Sequence, residues 1–181
     1  MKINPKASCL LIIDIQEKLL PAIHHNESVL ETCLWSTDLA EVMDIPVIAT
    51  EHCPDKIGVT TEVLRHKLKE DRIISKVDFS AVADGKLMEK LHENQIAQVI
   101  VVGAEAHVCV LQTVLDLLQE NISVFVLESG VGSRKESDKT LAIARMKQNG
   151  AEIISKEMLA FEWLESPKND KFREVLKHFI K

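Results

Sequence analysis

The chain has 181 residues, 46% of them hydrophobic and 28% charged, with a formal net charge of −6 and 4% aromatics. That size fits one domain, residues 1–181, with room for a core and a cleft. The acidic balance argues against nucleic acid as the main partner, because phosphate binding needs a cationic face, and no apolar run approaches the roughly 20 residues that cross a bilayer.

In chain order, Met1-Lys2-Ile3-Asn4-Pro5 runs straight into a strand at 9–13, where Leu10-Leu11-Ile12-Ile13 is apolar at every position, and does not read as a signal peptide. The strand leads into Asp14-Ile15-Gln16, then a helical pattern at 26–43. Pro46 and Pro54 bracket a second strand, 46–50, and its loop. A helix at 58–69 precedes the third strand, 72–76, which ends in Lys76-Val77-Asp78-Phe79. A helix at 83–94 leads to the fourth strand, 98–103, which turns through Gly103 into a helix at 107–120. After the fifth strand, 123–127, Ser133-x-x-Glu136 reads as a capping box for a helix at 136–149, with Gly150 at its C-terminus. The sixth strand, 152–155, is followed by helices at 156–164 and 168–180, with Pro167 near the first turn of the latter. Strands apolar on both faces and alternating with helices predict an α/β fold, a three-layer αβα sandwich on a six-stranded parallel sheet. No repeat or linker divides it.

Such sheets bind ligands beyond the carboxyl ends of their strands, where strand order reverses. With the order 3-2-1-4-5-6, Asp14 faces the turn carrying Cys109, and the flexible stem of Lys76 reaches across from two strands away. Cys109 is the candidate nucleophile: near a helix start, the dipole and free N–H groups are expected to lower its pKa. Asp14 accepts the thiol proton and later hands it to the leaving group, while Lys76 holds Asp14 by Coulomb attraction. The backbone N–H groups of Glu105 and Cys109 are the expected oxyanion donors. His107, two residues before Cys109, points away from it on a helix and is read as a rim residue. Four cysteines, at 9, 33, 53 and 109, form no Cys-x-x-Cys pair, which fits free thiols in a reducing cytoplasm. Asp14-Ile15-Gln16 is not an Asp-x-Asp phosphatase motif, and no glycine-rich phosphate loop follows any strand, so no nucleotide cofactor is indicated.

These residues resemble the isochorismatase-like cysteine hydrolase superfamily, through Ile13-Asp14-Ile15-Gln16, Lys76-Val77-Asp78-Phe79-Ser80 and Gly103-Ala104-Glu105-Ala106-His107-Val108-Cys109-Val110. Within it the chain is similar to the YcaC-like and isochorismatase domain-containing subgroup, through Thr50-Glu51-x-x-Pro54, Ser133-Arg134 and Phe161-Glu162-Trp163-Leu164. The resemblance implies an Asp14–Lys76–Cys109 triad working through a covalent thioester-type intermediate, and a cis peptide between Ala104 and Glu105. Nicotinamidases of this superfamily carry an Asp-x-His metal motif after the second strand. Here that place reads Thr50-Glu51-His52-Cys53, so no catalytic metal is expected. The pocket is sketched by Gln16, Leu19, Glu51, His52, Phe79 and His107, for a small, largely neutral substrate. Arg134 is open to two readings, a partner for a substrate carboxylate or a surface ion pair.

The resemblance also implies a homo-oligomer. Its late aromatics, Phe161, Trp163, Phe172 and Phe179, either form an interface or pack back on the domain. The leading expectation is a cysteine hydrolase of small amides or related C–N compounds. The alternatives are a catalytically idle oligomeric scaffold and an oxidation sensor at Cys109.

Overall fold

The computed structural model describes residues 1–180. Six strands, β1 Ser8–Ile13, β2 Val47–His52, β3 Ile73–Lys76, β4 Gln98–Ala104, β5 Ser123–Gly132 and β6 Glu152–Ile154, form one sheet in the order β3-β2-β1-β4-β5-β6. Every pairing is parallel. The expected topology holds.

The helices are α1 Asn26–Val42, α2 Pro54–Ile57, α3 Glu62–Arg65, α4 Lys86–Glu93, α5 Leu111–Gln119, α6 Glu136–Gln148, α7 Lys156–Leu164 and α8 Phe172–Phe179. Right-handed crossovers decide which face each helix covers. The chain steps one way from β1 to β3, then returns and steps the other way from β4 to β6. The connecting helices therefore divide between the faces. Alternate strand residues follow the same division. Leu10, Ile12, Ile100, Val102, Phe125 and Leu127 pack with α1, α7 and α8, whereas Leu11, Ile13, Val99, Val101, Val124 and Val126 pack with α4, α5 and α6. Strands buried on both sides are why the pattern reads as continuous apolar runs.

Departures from the expected elements have local causes. The helix expected at 58–69 is reduced to the single turn of α3, and the short α2 lies before it. Glu51 draws in the backbone N–H (2.7 Å) and hydroxyl (2.8 Å) of Thr60, and Gly58 sits at φ 85°, which together hold the segment out of helix. β5 runs on to Gly132 because its ladder resumes after a register shift, Val126 facing Val101 but Val131 facing Gly103. The polar Glu128-Ser129 inside that shift hides the continuation from a reading of apolar runs. The capping box at Ser133 does not form: α6 starts from Lys135, and the Ser133 hydroxyl lies 3.0 Å from His107 Nδ1 instead. The last helix begins at Phe172, not 168, after Glu165 turns left-handed at φ 59°. Trp163 and Phe179 pack back onto the domain, Trp163 fully buried and donating to Ser8 Oγ at 3.1 Å, while Phe161 stays exposed.

Candidate active site

The sheet register sets the site. Ile13 pairs with Thr50 on one side and Gly103 on the other, and His52 pairs with Lys76, so the ends of four strands meet on one rim. Gly103 makes the closest approach. Its φ is 154°, and a Cβ there would lie 2.4 Å from the Ile13 carbonyl oxygen. Only glycine lets β4 press this tightly on β1, next to Asp14.

Asp14 follows β1 in the left-handed region, φ 54°, a conformation that short polar side chains tolerate better than others. Its N–H donates to the Thr50 carbonyl at 3.2 Å. The carboxylate is fully buried and takes two strong bonds: the Thr50 hydroxyl donates to Oδ1 at 2.7 Å, and Lys76 Nζ donates to Oδ2 at 2.8 Å. Lys76 is itself only 2% exposed in its side chain. Its ammonium also donates to the carbonyls of Phe79 (3.0 Å) and Asp78 (3.2 Å), so all three N–H hydrogens are committed within the chain. A buried ion pair needs such extra partners to offset its desolvation. The loop holding those carbonyls is tied down in turn, since Ala81 N–H donates at 3.0 Å to Thr113 Oγ1 on α5. Thr113 stands four residues after Cys109, on the same helical face.

Cys109 sits in a wide, π-helical turn, Ala106–Val110, that leads into α5, with Val110 N–H reaching back to the Glu105 carbonyl at 3.4 Å. Such turns recur at functional sites. The sulfur residue is buried, and burial pushes its pKa up to about 12. The Asp14 charge pushes the same way, the Lys76 charge opposes it, and Glu105 adds a smaller rise. The expectation of a lowered pKa is therefore corrected. The regular helix starts only at Leu111, and desolvation beside a carboxylate outweighs any help from the dipole. Burial and the neighbouring carboxylate thus both favour the protonated form of the Cys109 thiol.

The expected cis bond between Ala104 and Glu105 is also corrected: the structure contains no cis peptide bond among the described residues. The reversal out of β4 is absorbed by Gly103 at φ 154° and by Glu105 at φ 56°. The backbone N–H groups of Glu105 and Cys109 both stay as candidate oxyanion donors. The Glu105 side chain instead forms a rim ion pair, its Oε1 2.8 Å from Arg134 Nε. Its Oε2 lies 3.4 Å from His107 Nδ1 without a hydrogen bond. His107 turns toward Ser133, away from the thiol, as its spacing predicts.

The other expected pocket residues divide. His52 and Phe79 flank the site with rings 5.5 Å apart and tilted by 35°. Phe79 is half exposed, and His52 Nδ1 is buried without a hydrogen-bond partner. Gln16 is a clamp between loops, donating to the carbonyls of His52 (3.0 Å) and Gly58 (2.6 Å) and accepting from His52 N–H at 2.8 Å. Glu51 is taken up by Thr60 and by Arg65, 2.6 Å away. Leu19 packs against the α1 face of the core. In the sequence Thr50 stands only as part of the Thr50-Glu51-x-x-Pro54 match, with no role at the site, and Thr113 is not marked at all; the pairing of Thr50 with Ile13 is what places the first beside Asp14. Among the described residues, no group of three or more His, Cys, Asp or Glu side chains is arranged to hold a metal ion. A groove of about 760 Å³ beside Trp35, Lys156 and Phe179 lies away from this chemistry.

Comparison with known proteins places this rim in context. The Isochorismatase domain matches residues 8–158. Mouse Isochorismatase domain-containing protein 2A is 31% identical over 177 residues, covering 97% of this chain and 84% of its own. The solved structure of the MAR1 ribonuclease from Caenorhabditis elegans superposes with a TM-score of 0.92 at 34% identity, covering 100% of this chain and 93% of that one. The YcaC gene product from Escherichia coli, described as an octameric hydrolase of unknown specificity, shares the fold with a TM-score of 0.91 at 22% identity, over 99% of this chain and 91% of that one.

Proposed function

Since the chain belongs to the isochorismatase family, we propose that it is a metal-independent cysteine hydrolase acting on a small, largely neutral amide or related C–N compound. The observation that carries this reading is a buried cysteine at the same rim as a buried carboxylate whose two oxygens are held by Lys76 and Thr50. In the first half-reaction the thiol proton passes to Asp14 as sulfur bonds to the substrate carbonyl carbon, and the C=O π pair moves onto oxygen beside the Cys109 N–H. Collapse of that adduct breaks the C–N bond, and Asp14 gives its proton to the departing nitrogen. Water, deprotonated by the same carboxylate, then opens the thioester and returns the proton to sulfur. Lys76 has no hydrogen left for substrate. Its part is electrostatic, keeping Asp14 in place and opposing the rise in the Cys109 pKa.

We assign the substrate to the side of the triad that bears His52 and Phe79, whose rings, 5.5 Å apart, suit a planar group with little charge. Free thiols throughout fit a reducing compartment, and the octameric relative supports a homo-oligomer. A nuclease reading draws on the name of the Caenorhabditis elegans relative. The net charge of −6 and the missing basic run weigh against it.

The test is an ammonia-release screen over small amides, run beside an RNA-cleavage assay, with Cys109→Ala as the control in both. Release of ammonia that disappears with the thiol supports the hydrolase. RNA cleavage with the same dependence would replace it by the nuclease, and silence in both assays would leave the scaffold reading standing.

A further inference from the structure

We propose that Thr50 is a positioning residue of this site, its hydroxyl fixing which edge of the Asp14 carboxylate meets the Cys109 thiol. The inference rests on the hydrolase reading and deepens it. Rotation about the terminal Asp bond is soft and roughly two-fold, so a carboxylate held at one oxygen alone can present either edge. Lys76 holds Oδ2. Thr50 holds Oδ1 at 2.7 Å, and this second point stops the rotation. The same residue accepts the Asp14 N–H through its carbonyl, so one strand position grips both the backbone and the side chain of the proton acceptor.

The grip is stiff. Thr50 is buried at 1% exposure, lies in β2, and is locked in register with Ile13, the residue before Asp14. A β-branched side chain in a strand has few χ1 options, which fixes the direction of the hydroxyl. Of the carboxylate's lone pairs, one on each oxygen is occupied, which leaves one on each free to accept the thiol proton. Thr50 keeps its own proton throughout. The proton that moves is the one on sulfur.

Acrylamide serves as a defined probe of that movement. Sulfur bonds to its β-carbon, the C=C π pair shifts to the α-carbon, and the proton passes from sulfur through Asp14 to that carbon. When the transfer is internal, the rate of Cys109 modification is nearly flat between about pH 6.5 and 8.5. When free thiolate must form first, the rate climbs about tenfold per pH unit, because the thiol pKa lies far above this window. Modification of Cys109 is followed by intact mass in the wild-type protein, Thr50→Val, Thr50→Ala and Thr50→Ser, with folding checked by circular dichroism.

We expect the wild type to be flat. Thr50→Val should steepen toward tenfold per unit and slow by roughly ten- to a hundredfold at pH 7, the cost of a misplaced reacting group. The loss falls on the maximal inactivation rate and not on half-saturation, and Thr50→Ser restores both rate and slope. Thr50→Ala carries the same expectation as Thr50→Val if the latter does not fold. A flat profile at wild-type rate in the folded hydroxyl-less variant overturns the role of Thr50. A steep profile in the wild type overturns instead the proton transfer on which the hydrolase reading depends.

Discussion

Two buried carboxylates lie on opposite sides of one strand pair, built from the same parts. Asp14 has a threonine hydroxyl (Thr50) and a cation (Lys76); Glu51 has a threonine hydroxyl (Thr60) and a cation (Arg65). Thr50 and Glu51 are consecutive on β2, so the pleat sends them to opposite faces. The differences are in what remains. At Glu51 one oxygen takes Thr60 N–H, Thr60 Oγ1 and Arg65 Nη1, and Arg65 is partly exposed and shared with Glu70. At Asp14 the cation is sealed and saturated by carbonyls, and the carboxylate's charge acts on the Cys109 thiol. A buried ion pair with a threonine is thus a structural device that this chain uses twice. What makes one of them a candidate for chemistry is the nucleophile set against it.

That contrast can be broken by matched substitutions. The largest effect is expected from Asp14→Asn, which should lower amide turnover by about 10²- to 10⁴-fold, the usual contribution of a placed acid–base group, while leaving the circular dichroism spectrum intact. Glu51→Gln should leave turnover per folded molecule unchanged. Equal losses of turnover would erase the distinction.

Stability sharpens it next. Lys76→Met strands Asp14 without its partner and should cost about 3–5 kcal/mol in urea unfolding. Arg65→Met, at a site open to solvent on one side, should cost about 1–3 kcal/mol. A reversed order would show that Lys76 is not the buried member of the two.

The pH dependence of Cys109 gives a subtler contrast. At equilibrium, thiolate absorbance near 240 nm, taken as wild type minus Cys109→Ala, should show no ionisation of Cys109 at pH 9. Asp14 raises this pKa and Lys76 lowers it, so Asp14→Asn should shift ionisation to lower pH and Lys76→Met to higher pH. Glu51→Gln should shift nothing. The smallest effect concerns the fold itself. Cys9 and Cys109 both have pKa values raised by burial to about 12, and Cys33 is raised as well. An unfolded thiol loses its proton near pH 8.5 while the folded one keeps it, so the stability these groups contribute is complete below that pH and drains away as pH rises toward 12. Urea midpoints should be level through neutrality and decline above about pH 9, less steeply in Cys33→Ala.

Much of this was legible in the sequence, for definite reasons. Runs such as Val99-Ile100-Val101-Val102, short and alternating with helical patterns, read as strands buried on both faces, and the doubly wound order 3-2-1-4-5-6 is a common way to connect them. Asp14 and Lys76 stand at strand ends and Cys109 in the turn that follows the fourth strand, which that order brings to one rim. Long-range hydrogen bonds leave no such trace. Nothing local to Gln16 says that its amide will bridge two carbonyls from residues 52 and 58, nor to Glu51 that Thr60 will fold back onto it. The direction of the Cys109 pKa was misread because position relative to a helix is visible in sequence, whereas burial beside a carboxylate is not. The turn at Glu105 was misread for a related reason: positive φ in a non-glycine residue is set by what surrounds it.

The seam at Gly103 has a consequence for how the protein can change. Because β1 and β4 touch there backbone to backbone, the spacing of the two chains that carry the proton acceptor and the sulfur belongs to the scaffold. The end of β2, which bears His52, and the loop after β3, which bears Phe79, lie outside that seam. Substrate preference is therefore free to drift by remodelling these two segments, while the backbone spacing passes unaltered from one variant to the next.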